Sequence, residues 1–186
     1  MAKQLVKGEK INISKINDYS NNHTISFLYN NNVEISFAID IFLFMLDDNN
    51  KINNKDIVFY NNPENMEKGI SLVEHYGEIE NKKSYDVDLN VVPKNISKLV
   101  LGCSIYKDKG NLTKLNPVSI TLKVFNRTSN VEIFNLDMQS EIPTSEAIVI
   151  GEIYKHNEFW KFSAVEYISS TSLLDSIKML YSANFT

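Results

Sequence analysis

Apolar and polar residues alternate along most of this chain, in short runs that end at turn residues. Strict alternation places every second side chain on the same face of an extended strand. Clusters of Asn, Asp, Gly and Pro separate the runs, as is typical of turns between strands. The pattern predicts strands at residues 11–16, 24–29, 33–46, 56–61, 70–76, 85–89, 98–106, 118–125, 131–136, 147–154 and 159–167.

Many short strands with turns at fairly regular spacing favour an all-β protein. We therefore expect a two-sheet antiparallel β-sandwich with a short C-terminal α-helix. Trp160 and Phe162 are expected on the last strand of the sandwich.

The end of the chain follows a helical period instead. Leu173, Ile177 and Leu180 recur on one helical face, and Thr171 and the neighbouring serines are candidate N-caps. We predict a β-sandwich domain over residues 1–169 and, over residues 170–186, a helix that packs this face on it. The alternative is an exposed apolar stripe that binds a partner.

Composition narrows the class of protein. The chain has 186 residues, 43% of them hydrophobic and 23% charged, a balance typical of one globular domain. A net charge of −4 and a single arginine, Arg127, argue against nucleic-acid binding. The longest apolar run, residues 41–46, is far shorter than the roughly 20 residues of a membrane span. Without membrane insertion or an apolar leader segment, we expect a cytoplasmic protein.

Few residues suggest chemistry, and none suggests catalysis. His23, His75 and His156 are scattered, and the only cysteine, Cys103, lies in a predicted strand as a small buried residue. Glu152 is an isolated strand carboxylate without a nucleophile or base beside it in the pattern. We therefore predict that the protein is not an enzyme.

Asp40 occupies the most informative position of the longest predicted strand. Between residues 33 and 41 every second residue is apolar, so Ser36, Ala38 and Asp40 share the opposite face. After Ile41 both faces become apolar. A carboxylate at this transition is partly desolvated and needs a cation, an amide cluster or a turn to receive its charge.

Several ordered segments resemble the TerD-type family of tellurium-resistance and stress-response proteins. The resemblance runs through the chain from residue 4 to residue 167, and an ordered set is far more specific than any one match. The segments are Gln4 to Lys15, Lys55 to Asn62, Ser71 to Glu78, Val87-Asp88-Leu89 with Val92-Pro93, Ser145 to Asn157, and Trp160 to Val165.

The resemblance implies a β-sandwich that binds calcium between loops. In the family, three alternating aspartates occupy the positions of Ser36, Ala38 and Asp40. This chain also has two lysines, Lys82 and Lys83, where anionic ligands would be expected. Calcium takes six to eight oxygen ligands, and its affinity depends on their charge. The metal-site residues that remain are Asp40, Asn61, Asn62, Gly77 and Glu78.

From these residues we expect a TerD-like stress-response domain, non-enzymatic, with weak or residual Ca²⁺ binding. We also expect it to dock onto a protein partner or a second copy of itself. The alternative is a metal-independent interaction or structural module that has lost the calcium sites.

Overall fold

The computed structural model describes residues 2–16, 20–30, 37–75, 80–107, 118–140 and 147–186. Strands dominate these residues. In chain order the elements are β1 (Lys3–Leu5), β2 (Lys10–Asn12), α1 (Ile13–Ile16), β3 (Asn22–Asn30), β4 (Phe37–Asp47), β5 (Lys51–Ile52), a 3₁₀ turn (Asn54–Asp56), β6 (Ile57–Val58), β7 (Ile70–His75), β8 (Glu80–Asp88), β9 (Ile96–Lys107), β10 (Val118–Asn126), β11 (Glu132–Ser140), β12 (Ala147–His156), β13 (Phe159–Ser169), α2 (Leu173–Tyr181) and β14 (Asn184–Phe185).

Two six-stranded sheets form the body of the fold. The first sheet has the order β1-β11-β10-β3-β8-β7, and the second has the order β2-β13-β12-β9-β4-β6. All pairs in these two sheets are antiparallel except β1 with β11. A small third sheet pairs β14 with β5 in parallel. The predicted all-β, two-sheet sandwich with a C-terminal helix is confirmed.

Apolar side chains from both sheets fill the space between them. Phe27 of β3 packs edge-on against Tyr85 of β8, with ring centroids 6.1 Å apart. Phe134 of the first sheet meets Phe162 of the second at 4.7 Å, and both are fully buried. Phe162 and the buried Trp160 lie on β13, as predicted. Each large apolar side chain removed from water contributes about 1.5–3 kcal/mol.

Strand β4 is apolar on both faces because each face meets its own cluster. Ile39 and Ile41 belong to the central core, whereas Phe44 and Leu46 belong to a second cluster together with residues of α2. The change after Ile41, where both faces of the strand become apolar, therefore marks the part of the second sheet that α2 covers.

Helix α2 begins after Ser172, whose side chain accepts a hydrogen bond from the Asp175 amide at 3.2 Å. This is an ordinary N-cap. Leu173 and Ile177 are buried against the second sheet, as predicted. Leu180, however, is 37% exposed, so its assignment to the packed face was wrong. No helix within the described residues is long and apolar enough to span a membrane.

Local hydrogen bonds explain where the structure departs from the predicted strands. The predicted strand at 11–16 ends at Asn12, whose side chain accepts from the Lys15 amide and starts the single turn of α1. The predicted strand at 56–61 is reduced to β6, because Phe59 and Asn62 close a tight hairpin. The strand predicted at 85–89 begins earlier, at Glu80. Residues 33–36 lie outside the described residues.

Candidate functional site

The carboxylate of Asp40 meets an ammonium group from the opposite sheet. Asp40 is on β4 of the second sheet, and Lys83 is on β8 of the first. Lys83 Nζ lies 3.3 Å from Asp40 Oδ1 and donates a hydrogen bond to it. The sequence pattern predicted that the Asp40 carboxylate has a group that balances its charge, and that group is the ammonium of a lysine.

Lys83 also contacts a second carboxylate, on its own sheet. Glu74 of β7 is the direct cross-strand partner of Lys83, and Lys83 Nζ lies 3.1 Å from Glu74 Oε1. The Lys83 side chain is 8% exposed, against 24% for Asp40 and 27% for Glu74. The nearly buried Lys83 side chain thus places its ammonium between two partly buried carboxylates. We call Asp40, Glu74 and Lys83 the cross-sheet ion cluster.

The surroundings keep Lys83 charged. Burial by itself lowers the pKa of the Lys83 ammonium, but the hydrogen bond to Glu74 and the negative charge around it outweigh burial, so the pKa is raised above its ordinary value. A buried lysine without such partners would shift the other way and lose its proton. Lys83 is therefore a permanent cation across the physiological pH range.

Tyr85 reinforces the same junction. It is fully buried two residues along β8 from Lys83, and its hydroxyl donates to the carbonyl of Val58, on β6 of the second sheet, at 2.9 Å. Burial, with smaller contributions from Glu74 and Asp40, raises the pKa of Tyr85 well above its ordinary value. Tyr85 is therefore a neutral hydrogen-bond donor that ties the two sheets together.

Among the described residues, no hydrogen bond or ion pair joins the other predicted ligands to Asp40. Asn61 is exposed, at the tip of the hairpin that Phe59 and Asn62 close. The side-chain amide nitrogen of Asn62, Nδ2, donates to the carbonyl of Ile57 at 2.7 Å, which stabilises the turn after β6. Gly77 and Glu78 lie outside the described residues, as does Ser36, and Ala38 is exposed.

Within the described part of the chain, the ligand atoms around Asp40 do not fit a calcium ion. There, no three His, Cys, Asp or Glu side chains come together in a way that could hold a metal. The two carboxylates that do approach each other share the Lys83 ammonium. Calcium lies about 2.3–2.6 Å from its oxygen ligands, so a calcium ion bound by both carboxylates would have to displace that nitrogen.

Lys83 and Glu74 are the site residues that the ligand prediction omitted. The resemblance had already placed Lys82 and Lys83 where anionic ligands would be expected. Lys82, which the alternation of β8 directs the other way, is partly exposed. Two features of the sequence could therefore have identified Lys83: a lysine at a position where an anionic ligand would be expected, and the alternation of β8, which separates Lys83 from Lys82.

The remaining reactive groups have structural roles. Burial raises the pKa of the Cys103 thiol to about 12, so the thiol stays protonated and unreactive. Glu152 forms an ion pair with Lys98 at 3.3 Å, and the Lys98 ammonium lies 4.7 Å from the ring centre of Tyr181. These contacts join the second sheet to α2.

An apolar cavity of about 320 Å³ lies beside the first turn of α2. Its walls are mainly aromatic and aliphatic, and Phe42 stacks between Phe44 and Phe59 at 6.0 and 5.4 Å. No ionisable acid or base other than Tyr106 lines it among the described residues, so it suits an apolar group and offers no acid–base pair. The lining residues are Phe42, Phe44, Ile57, Phe59, Ser104, Tyr106, Ser172, Leu173 and Leu174.

Comparisons with known proteins agree on one family. The TerD domain model matches residues 1–178. General stress protein 16U from Bacillus subtilis is 28% identical over 176 residues, which cover 89% of this chain and 90% of that protein. Tellurium resistance protein TerD from Serratia marcescens is 26% identical over 137 residues, covering 69% and 70% respectively.

A solved structure shares the fold. The crystal structure of a homologue of telluride resistance protein TerD from Streptomyces coelicolor aligns with a TM-score of 0.61 at 12% identity. The alignment covers 89% of this chain and 99% of that one. At this identity the likeness concerns the architecture of the two sheets and not their ligands.

Proposed function

The chain belongs to the TerD domain family, and from this premise we propose that it is a non-enzymatic stress-resistance domain that works without a bound calcium ion. The family match over residues 1–178, with relatives named for general stress and tellurium resistance, supports the stress-resistance role. A cytoplasmic location and action through a protein partner or a second copy are further parts of the proposal.

One observation carries the metal-independent part of the proposal. The carboxylates of Asp40 and Glu74 are both paired with the ammonium of Lys83, a residue whose side chain is 8% exposed. Breaking a fully buried ion pair costs about 3–5 kcal/mol, and breaking a partly exposed pair such as this one costs less, because solvent screens the charges. Within the described residues, a calcium ion would have to overcome this cost with these two carboxylates and no third His, Cys, Asp or Glu side chain beside them. The geometry therefore favours the metal-independent module over weak calcium binding.

The proposed lack of catalysis has its own support. The thiol of Cys103 is protonated and buried, and Glu152 is paired with Lys98. Neither residue is available as a nucleophile or as a base. We expect the purified protein, incubated with tellurite and an added thiol, to leave the rate of tellurite reduction at the protein-free value. A rate that rises in proportion to protein concentration would refute this part.

Survival of a tellurite-sensitive bacterial strain tests the stress-resistance role. Cells that express the chain should survive higher tellurite concentrations than cells with an empty vector. Asn61→Ala removes an exposed residue of the predicted ligand set and should preserve the protection, because the proposed function needs no calcium there. Equal survival with and without the chain contradicts the role, whereas protection that Asn61→Ala abolishes contradicts metal independence.

A further inference from the structure

The cavity beside the first turn of α2 has three sides that come from different parts of the second sheet and its cover. Its floor is formed by the neighbouring strands β4 and β9, one wall by β6 and the hairpin after it, and the opposite wall by the start of α2. Both walls are held by local hydrogen bonds, because the backbones of Phe59 and Asn62 close the hairpin and Ser172 caps α2. The cavity is therefore formed by the fold itself, as ligand sites usually are.

Gly102 of β9 sets the position of the wall that α2 contributes. A Cβ atom at this position would lie 2.8 Å from Leu173 Cδ1 and 3.0 Å from the carbonyl oxygen of Ile148. A side chain here would therefore push Leu173 away from the sheet. Leu173 is 4% exposed and lines the cavity, so the absence of a side chain at Gly102 fixes how closely this wall approaches the floor.

Three aromatic rings in a row line the floor and the hairpin side of the cavity. The ring planes of Phe44 and Phe59 lie within 14° and 18° of the plane of Phe42, which stands between them. A row of nearly parallel rings offers ring edges and an end face to a further ring. Aromatic pairs favour both edge-on and offset-stacked contacts, with centroids about 4.5–7 Å apart. This lining therefore suits a planar aromatic ring.

Two hydroxyl groups stand beside the apolar lining. Ser104 and Tyr106 contribute them from β9, and neither side chain makes a hydrogen bond within the described part of the chain. The hydroxyl of Ser172, by contrast, is already bonded to Asp175 as donor and acceptor. Tyr106 is 54% exposed, so it borders the opening. No Lys, Arg, His, Asp or Glu lines the cavity among the described residues, so an ionised ligand would find no opposite charge there.

We propose that this cavity binds a small, neutral aromatic molecule that carries one hydrogen-bonding group. An apolar cavity of roughly 150 Å³ already accepts benzene, so the 320 Å³ available here has room for two fused rings. Ligand pockets begin at roughly 300 Å³ and combine an apolar lining with a few polar groups. The rings pack against Phe42 and Phe59, and the polar group bonds to the Tyr106 hydroxyl. This site goes beyond the proposed stress-resistance role and does not depend on it.

Titration of the full chain with 1-naphthol, followed by NMR, tests the proposal, because this probe has two fused aromatic rings and one hydroxyl. Binding should saturate with a dissociation constant of roughly 10⁻⁴ M, an ordinary value for so small a ligand. 1-Naphthoate, which is ionised at pH 7, should bind at least about tenfold more weakly. The largest shifts should come from Ser104, Tyr106, Leu173 and Leu174. No saturation up to about 2 mM 1-naphthol, or shifts centred elsewhere in the fold, would overturn the proposal.

Three variants place the probe in the cavity. Ser104→Phe fills the cavity and should abolish binding of 1-naphthol. Tyr106→Phe keeps the ring at a half-exposed position and removes its hydroxyl, so it should weaken 1-naphthol about two- to tenfold and leave naphthalene unaffected. Leu180→Ala is the control, because it removes an apolar side chain of α2 that does not line the cavity, and it should bind 1-naphthol as the parent does.

Parent-like binding of 1-naphthol by Ser104→Phe contradicts the proposal. If Ser104→Phe does not fold, Tyr106→Phe decides, and equal effects of this substitution on 1-naphthol and naphthalene contradict the assigned hydrogen bond. Sedimentation tests for a protein occupant. A dimer of the parent that Ser104→Phe dissociates would show that a second copy fills the cavity, and would overturn the small-molecule proposal. We expect the sedimentation coefficients of parent and variant to agree.

Discussion

His23 should make this protein sensitive to mild acid. The residue lies on β3, in the middle of the first sheet, opposite Asn126 of β10 and Val87 of β8. It is fully buried, and neither ring nitrogen makes a hydrogen bond of ordinary geometry to the described residues. Burial lowers the pKa of His23 from 6.5 to about 4, and the backbone of Phe125 opposes this only in part.

The sign of the effect follows from the depressed pKa. The unfolded chain takes up a proton on this histidine below pH 6.5, whereas the folded protein does so only near pH 4. Acid therefore favours the unfolded state, and the loss of stability builds up between these two values and then levels off. At about 1.4 kcal/mol for each pH unit, the loss reaches about 3 kcal/mol. For a chain of this size that corresponds to a fall in Tm of very roughly 10 °C.

Urea unfolding at pH 7 and at pH 4.5 measures this contribution. Other groups also titrate in this range, so the parent is compared with His23→Leu and His23→Gln, which cannot titrate. Each variant should lose about 2–3 kcal/mol less than the parent between the two pH values, even if it is less stable at pH 7. If parent and variants lose equal amounts of stability, or if NMR titration places the pKa of His23 near 6.5, the reasoning is refuted.

Three substitutions and one chemical modification test the packing of the fold. Ile177→Ala should cost about 2–5 kcal/mol in urea unfolding, because Ile177 is fully buried. Leu180→Ala should cost less than about 1 kcal/mol, because Leu180 is 37% exposed. If the two cost the same, the orientation of α2 is wrong. Cys103 should resist a thiol reagent in native protein and react on unfolding. Labelling of the native state at the denatured rate would contradict its burial. Gly151→Ala should cost about 1–3 kcal/mol, because the added Cβ would clash with the Phe162 ring and with the backbone oxygen of Ser163. An unchanged Tm would show that both can move aside.

The sequence predicted the sandwich because alternation is a local property. β10, β12 and β13 match their predicted positions closely, since each buries one face and ends at turn residues. The strands that it missed, β1, β5 and β14, have two or three residues each. Such short strands are defined by hydrogen bonds to distant parts of the chain, and no alternation can be read from so few positions.

The site was only half visible in the sequence. The pattern showed that Asp40 needed a partner for its charge, and the resemblance showed lysines where acidic residues were expected. What local sequence cannot show is that β4 and β8 belong to opposite sheets and meet at this level, because that depends on the order of strands in both sheets. The same limit applies to Leu180, whose exposure is set by how α2 is oriented on the second sheet.

Calorimetric titration of the metal-stripped full chain with Ca²⁺ measures whether the protein binds calcium. The Lys83 ammonium already occupies the space between the carboxylates of Asp40 and Glu74, so we expect no saturable heat up to millimolar Ca²⁺. Saturable binding with a dissociation constant in the range of calcium sensors, roughly 10⁻⁷–10⁻⁵ M, and its loss in Asp40→Asn, would contradict the proposal that the domain works without a bound calcium ion.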